Sequence, residues 1–130
     1  MTGPVLIIED DPDIAEVLRY SLEKATFETR VALDGEVGLK ACLDRTNPPS
    51  LILLDLFLPL MSGAEICRRL RLDPTTSQTP IVVITAKAFE LDRNRSLQMG
   101  ADDYIVKPFS VRDVVQKVRT LLEQSQTHES

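Results

Sequence analysis

Short runs of apolar, mostly β-branched or leucine residues alternate with longer stretches in which apolar positions recur three and four apart. This alternation predicts βα units around a parallel sheet. Five strands are expected, at Val5–Ile8, Phe27–Ala32, Leu51–Leu54, Ile81–Ile84 and Tyr104–Val106. Three of them, reading VLII, LILL and IVVI, are apolar at every position, as strands covered by helices on both faces should be. The second mixes Glu28, Thr29 and Arg30 into its run and the fifth is very short, so both belong at sheet edges. A strand order of 2-1-3-4-5 follows.

Helices fill the intervals. The first starts at Asp11–Pro12, with the carboxylate as N-cap and proline at the first helical position, and carries Ile14, Val17, Leu18 and Leu22 on one face. Further helices are expected over Gly35–Arg45, Gly63–Leu72 and Glu90–Met99, the last closed by Gly100. The final helix begins at Ser110, where Ser110 and Asp113 form a capping-box-like start and Val111, Val114, Val118 and Leu122 make its stripe. Residues 1–124 are read as one domain and 125–130 as a polar, frayed tail without an output domain.

At 130 residues, 43% of them apolar, the chain supports one core and excludes a large multidomain enzyme. The net charge of −5 has the wrong sign for wrapping nucleic acid or anionic lipid, so neither direct nucleic-acid binding nor a membrane is expected. Four acids, Glu9, Asp10, Asp11 and Asp13, account for most of the excess, because without them 15 bases face 16 acids. Cys42 and Cys67 fall in helical segments without a CxxC pair and read as reduced packing residues. No apolar run approaches the roughly 20 residues that span a bilayer, and no signal-peptide order opens the chain, so a cytoplasmic location is expected. His128, the single histidine, lies in the tail and is given no metal or catalytic role.

In an open parallel sheet the residues just past each strand converge on one edge, where ligands bind at the switch in strand order. Glu9 and Asp10 follow strand one, Asp55 strand three, Thr85 strand four and Lys107 strand five. Any one of these could merely cap the next helix. Asp11, however, is the natural cap of the first helix, and Asp55 lies seven residues ahead of Ser62, where the next one starts. Carboxylates roughly 4 Å apart repel by about 4 kcal/mol per pair at an effective dielectric near 20, so such a cluster calls for a cation. Lys107 supplies one positive charge. The remaining hard oxygen donors suit Mg²⁺, with Mn²⁺ as its substitute. Asp55 is then the nucleophile of a phosphoryl transfer, with Thr85 and Lys107 binding the phosphoryl oxygens.

At these residues the chain resembles the receiver domain of two-component response regulators, over about residues 4–123. The resemblance rests on VLIIEDDP, LILLDLFLPLMSG, PIVVITAKA and GADDYIVKPF, in the family's order and intervals. It implies a flavodoxin-like (βα)5 three-layer sandwich in which Asp55 accepts a phosphoryl group from a sensor histidine kinase or phosphotransfer protein. It further implies that Asp10, Asp55 and the main-chain carbonyl of Phe57 bind Mg²⁺ directly, with Glu9 acting through water. Thr85 and Lys107 would be phosphate ligands, Thr85 and Tyr104 the moving parts of the switch, and Lys107–Pro108 a cis bond. Phe57 and Lys87 stand where the family tunes the lifetime of the phosphate. The nearest subfamily carries winged-helix output domains and dimerises when phosphorylated. By that likeness Arg93 would face Asp113, and Asp102 and Asp103 would face Lys117 and Arg119, across a two-fold axis.

Three other readings compete. A pseudo-receiver acting by contact alone usually lacks one of the acids, the threonine or the lysine, and none is lacking here. A Mg²⁺-dependent phosphohydrolase of the haloacid-dehalogenase type needs a second acid two residues beyond the nucleophile, where Phe57 stands. A flavin carrier of this fold needs a first loop that cradles phosphate, which EDDPD would repel. Beyond phosphorylation and dephosphorylation of its own Asp55, no enzymatic turnover is expected.

Overall fold

In the computed structural model, which describes residues 3–86 and 99–129, five strands form one parallel sheet in the order β2-β1-β3-β4-β5. The strands are β1 (Val5–Ile8), β2 (Thr29–Ala32), β3 (Leu51–Asp55), β4 (Ile81–Thr85) and β5 (Asp103–Val106). Four helices accompany them: α1 (Pro12–Lys24), α2 (Gly35–Cys42), α3 (Gly63–Leu72) and α4 (Val111–Glu129). The segment expected to be helical over 90–99 lies outside the described residues except at Met99, and so do Lys87 and Arg93.

Side chains alternate across a strand, and that period divides the core into two layers. Leu6, Ile8, Ile52, Leu54, Ile81 and Val83 point to one face, where Leu39 and Cys42 of α2 and Ile66, Cys67 and Leu70 of α3 cover them. Val5, Ile7, Leu51, Leu53, Val82 and Ile84 point to the other, under Leu18 and Leu22 of α1 and Val114 and Val118 of α4. The all-apolar strands are thus buried on both sides, and the expected three-layer sandwich results. At the edges, β2 exposes Arg30 and Val31, and β5 buries Ile105 alone among its four residues.

Local chemistry sets the ends of the elements. The Asp11 carboxylate accepts from the N–H groups of Asp13 (2.9 Å) and Ile14 (3.3 Å) and caps α1, while Ser62 Oγ accepts from Glu65 N–H (3.2 Å) and caps α3. Two boundaries differ from expectation. Phe27 donates its N–H to Leu22 O (3.0 Å) in the turn that ends α1, so β2 begins only at Thr29. Past Cys42, the Asp44 carboxylate accepts from the N–H and hydroxyl of Thr46 (2.9 and 2.6 Å), turning the chain before Arg45 and shortening α2. In the other direction, α4 stays helical through residues 125–129, where a frayed tail was expected.

Candidate functional site

The carboxyl ends of the strands form the working edge, and main-chain hydrogen bonds carry the sheet ladder into the first residues beyond them. Glu9 N–H donates to Ala32 O (3.1 Å), Leu56 N–H to Ile84 O (2.9 Å) and Lys107 N–H to Thr85 O (2.7 Å). Glu9, Asp55, Thr85 and Lys107 are therefore fixed by the sheet rather than by free loops. Asp55 is the last residue of β3, in register with Ile84, and Thr85 ends β4 fully buried. Past Asp55 the chain is held again at Gly63, whose N–H donates to Leu56 O (2.9 Å). A Cβ at Gly63 would lie 2.7 Å from Leu56 Cα and 2.9 Å from Asp55 O, so α3 starts in direct contact with the backbone of the acid.

Three carboxylates meet at this edge. One oxygen each from Glu9, Asp10 and Asp55 lies within 4.8 Å of the others. Glu9 and Asp55 are buried, at 1% and 5% exposure, while Asp10 is open to solvent. Lys107 reaches in from the end of β5, with Nζ 3.1 Å from Glu9 Oε1 and 3.3 Å from Asp55 Oδ2. The second Asp55 oxygen, Oδ1, accepts from the N–H of Phe57 at 3.0 Å. Phe57 itself is about half exposed.

These contacts leave a deficit of positive charge. Burial pushes the Glu9 carboxyl up to about 7, the hydrogen bond with Asp55 adds to the rise, and Lys107 opposes it. Burial works against the Lys107 ammonium, but its hydrogen bond to Glu9 and the charge of Asp55 outweigh that and raise its pKa. Glu9 Oε2 is buried without a hydrogen-bond partner. A carboxylate cluster with one cation and an orphaned oxygen fits a hard divalent ion of the Mg²⁺ type.

The other expected positions fall as follows. Tyr104 is partly buried against the α2–α3 layer of the core, and Lys107–Pro108 is cis. On the outer face, an open groove of about 580 Å³ is lined by Asp102, Asp103, Asp113 and Lys117, among others. Three of these four side chains are paired within the chain: Lys117 Nζ lies 2.8 Å from Asp103 Oδ2, and Asp102 Oδ2 lies 2.9 Å from Arg71. Arg119 sits apart from that groove, with its guanidinium 5.7 Å from the centre of the Phe27 ring.

Two features had no sequence signal. Arg71 donates to the carbonyls of Gly100 (2.8 Å), Thr76 (3.2 Å), Ser77 (3.2 Å) and Thr79 (2.8 Å) as well as to Asp102. Asp102 Oδ2 also accepts from Ile81 N–H (2.8 Å), so one side chain ties the end of α3 to the starts of β4 and β5. Leu60 is the second: it has φ +70° and is fully exposed.

The family model for the response regulator receiver domain matches residues 5–119. The chain belongs to that family. Response regulator ArlR of Staphylococcus saprophyticus is 42% identical over 118 residues, which cover 91% of this chain and 51% of that protein. The alkaline phosphatase synthesis transcriptional regulatory protein PhoP of Bacillus subtilis is 39% identical over 126 residues, 97% of this chain and 51% of its own length. The chain spans about half the length of the curated relatives it matches. Among solved structures, a CheY-like receiver domain protein from Methanospirillum hungatei superposes with a TM-score of 0.87 at 26% identity, covering 98% of this chain and 99% of that one. Response regulator DrrB of Thermotoga maritima, an OmpR/PhoB homologue, gives 0.83 at 26% identity over 96% of this chain and 54% of its own. The fold is thus that of a receiver domain of two-component response regulators. Among the described residues no helix is long and apolar enough to cross a membrane.

Proposed function

We propose that this receiver is a phosphorylation-dependent switch whose phosphoacceptor is Asp55 and whose donor is the phosphohistidine of a sensor kinase or phosphotransfer protein. The observation that carries the reading is the Lys107 ammonium, bonded to Glu9 and Asp55 at once, beside a third carboxylate and an orphaned Glu9 oxygen. Asp55 is held for attack: Phe57 N–H orients Oδ1 and Lys107 steadies Oδ2. One carboxylate oxygen forms the new bond to phosphorus as the P–N bond breaks, and the bonding pair returns to the imidazole nitrogen. Lys107 and the Thr85 hydroxyl take the charge of the phosphoryl oxygens. Glu9, Asp10, Asp55 and the main-chain carbonyl of Phe57 would hold Mg²⁺, which supplies charge neutralisation for the incoming group when bound. Loss of the phosphate is attack by water on phosphorus, restoring the carboxylate and releasing inorganic phosphate.

Signalling follows as a shift between two conformations: Thr85 is drawn toward the phosphoryl group and the half-buried Tyr104 turns inward. The receiver then dimerises through the face bearing Asp102, Asp103, Asp113 and Lys117, or binds a partner there, with Arg93 and Arg119 joining the contact as the family likeness implies. Because Asp103 and Lys117 are paired within the chain, dimer formation through them exchanges one ion pair for another. The protein acts in the cytoplasm, and any DNA binding belongs to a separate domain. The test is incubation with Mg²⁺ and acetyl phosphate followed by intact mass. A gain of about 80 Da is expected in the parent and none in Asp55→Ala. An equal gain in Asp55→Ala, or none in the parent, overturns the assignment.

A further inference from the structure

The loop between β3 and α3 carries a leucine that the fold does not use. Leu60 holds φ +70°, a backbone conformation that Gly and Asn adopt readily and that a residue with a bulky side chain adopts only at a free-energy penalty. Its side chain is 105% exposed, so neither backbone preference nor core packing accounts for leucine at this position. Phe57, three residues earlier and half exposed, flanks it on the same loop. Strain retained beside a functional group points to a role outside folding.

The surroundings restrict what that role is. Asp55 is 5% exposed, and an imidazole ring is short, so a protein that delivers a phosphoryl group on histidine must lay its own surface on the rim of the pocket. That rim has two characters. On the α1 side it presents the exposed acids Asp10, Asp11 and Asp13, and on the α3 side the apolar Phe57 and Leu60. The complementary surface has basic residues to one side of the phosphohistidine and apolar residues to the other.

We propose that Leu60, supported by Phe57, is a specificity-determining residue for the phosphodonor, recognising an apolar patch beside the donor's phosphohistidine. The inference rests on the phosphohistidine reading given above. The full chain and its Leu60→Asn, Leu60→Gly and Leu60→Met variants are phosphorylated from two sources. One is acetyl phosphate. The other is the set of purified, autophosphorylated histidine kinases encoded in the same genome, with kcat/KM measured for the kinase that serves the parent fastest. For Asn and Gly the thermal midpoint stays at or above the parent's and labelling by acetyl phosphate stays within about twofold, while kcat/KM from the kinase falls about tenfold, chiefly through KM. Leu60→Met retains most of the parent's rate. Kinase kcat/KM unchanged in both Asn and Gly overturns the proposal. A changed oligomeric state with unchanged kinase kinetics also overturns it and assigns the residue to contact between copies. Failure of the parent to accept from any of these kinases while acetyl phosphate still labels it overturns this inference and the sensor kinase as direct donor, leaving Asp55 as acceptor. Failure of the parent with acetyl phosphate refutes Asp55 as acceptor instead.

Discussion

Replacing Glu9 by glutamine should make the metal-free protein more stable at neutral pH and less able to bind the ion. Glu9 is buried at 1% exposure, and its carboxyl is pushed from the ordinary 4.5 up to about 7, first by burial and then by its hydrogen bond with Asp55. A raised acid binds its proton more tightly in the folded than in the unfolded chain. Below pH 4.5 both states are protonated and nothing is lost; between 4.5 and about 7 the unfolded chain alone has released the proton, and stability falls as pH rises. At about 1.4 kcal/mol per pH unit, the full loss is about 3 kcal/mol, a large fraction of the 5–15 kcal/mol typical of a domain. Carboxylates held low by arginine, such as Glu65 beside Arg68 and Arg69, change stability only below their ordinary pKa, outside this window. Urea unfolding at pH 5, 6, 7 and 8 in a chelator reads the profile directly. The parent's stability should decline across the series, Glu9→Gln should stay nearly flat, and Mg²⁺ should restore the parent above pH 7 but not at pH 5, where the proton competes for the same oxygen. A parent as stable at pH 8 as at pH 5 without metal, or a glutamine variant with the parent's slope, would refute the charge deficit at this site.

Other expectations are simpler to check. Phe57→Asn replaces a half-exposed ring beside Asp55 with a small amide that can guide water, so its phosphorylated form should lose phosphate at least about threefold faster, measured by decay of the labelled protein. Slower or equal loss would remove Phe57 as a shield. Arg71→Met leaves four carbonyls and Asp102 without their shared donor and should lower the stability by about 3 kcal/mol in urea unfolding. A loss below about 1 kcal/mol would show that water replaces the guanidinium. Phosphorylation by acetyl phosphate should survive in that variant at temperatures where it remains folded, because Arg71 sits at the opposite end of the sheet from Asp55.

The parts of the fold legible in the sequence are those set by period and by local caps. VLII, LILL and IVVI carry enough apolar residues for both faces of a covered strand, and Asp11 and Ser62 cap the helices they precede. The placement of Glu9, Asp10, Asp55, Thr85 and Lys107 followed from strand direction alone, since parallel strands deliver their last residues to one edge. Arg71 shows what period cannot reveal. It shares the segment RRLRL with Arg68 and Arg69, which pair with Glu65 along the helix surface. Only the arrival of the Thr76–Thr79 carbonyls and of Asp102 gives Arg71 a different fate, and those contacts belong to tertiary structure. Asp103 and Lys117 were expected to seek partners on another subunit; their separation of 14 residues hid a contact within the chain. Leu60 was illegible for a related reason, because nothing in the residue type announces a left-handed backbone.

Lys107 is 98 residues from Glu9 and 52 from Asp55, yet both ion pairs depend on it. While the ribosome is still short of that lysine, the emerging chain holds its acids without their counter-charge, and the strand that delivers it is the last of the sheet to be synthesised. A fragment ending earlier would lack the group that steadies the acceptor. Competence to receive a signal therefore waits on the last strand of this sheet, and a chain cut short of it stays silent.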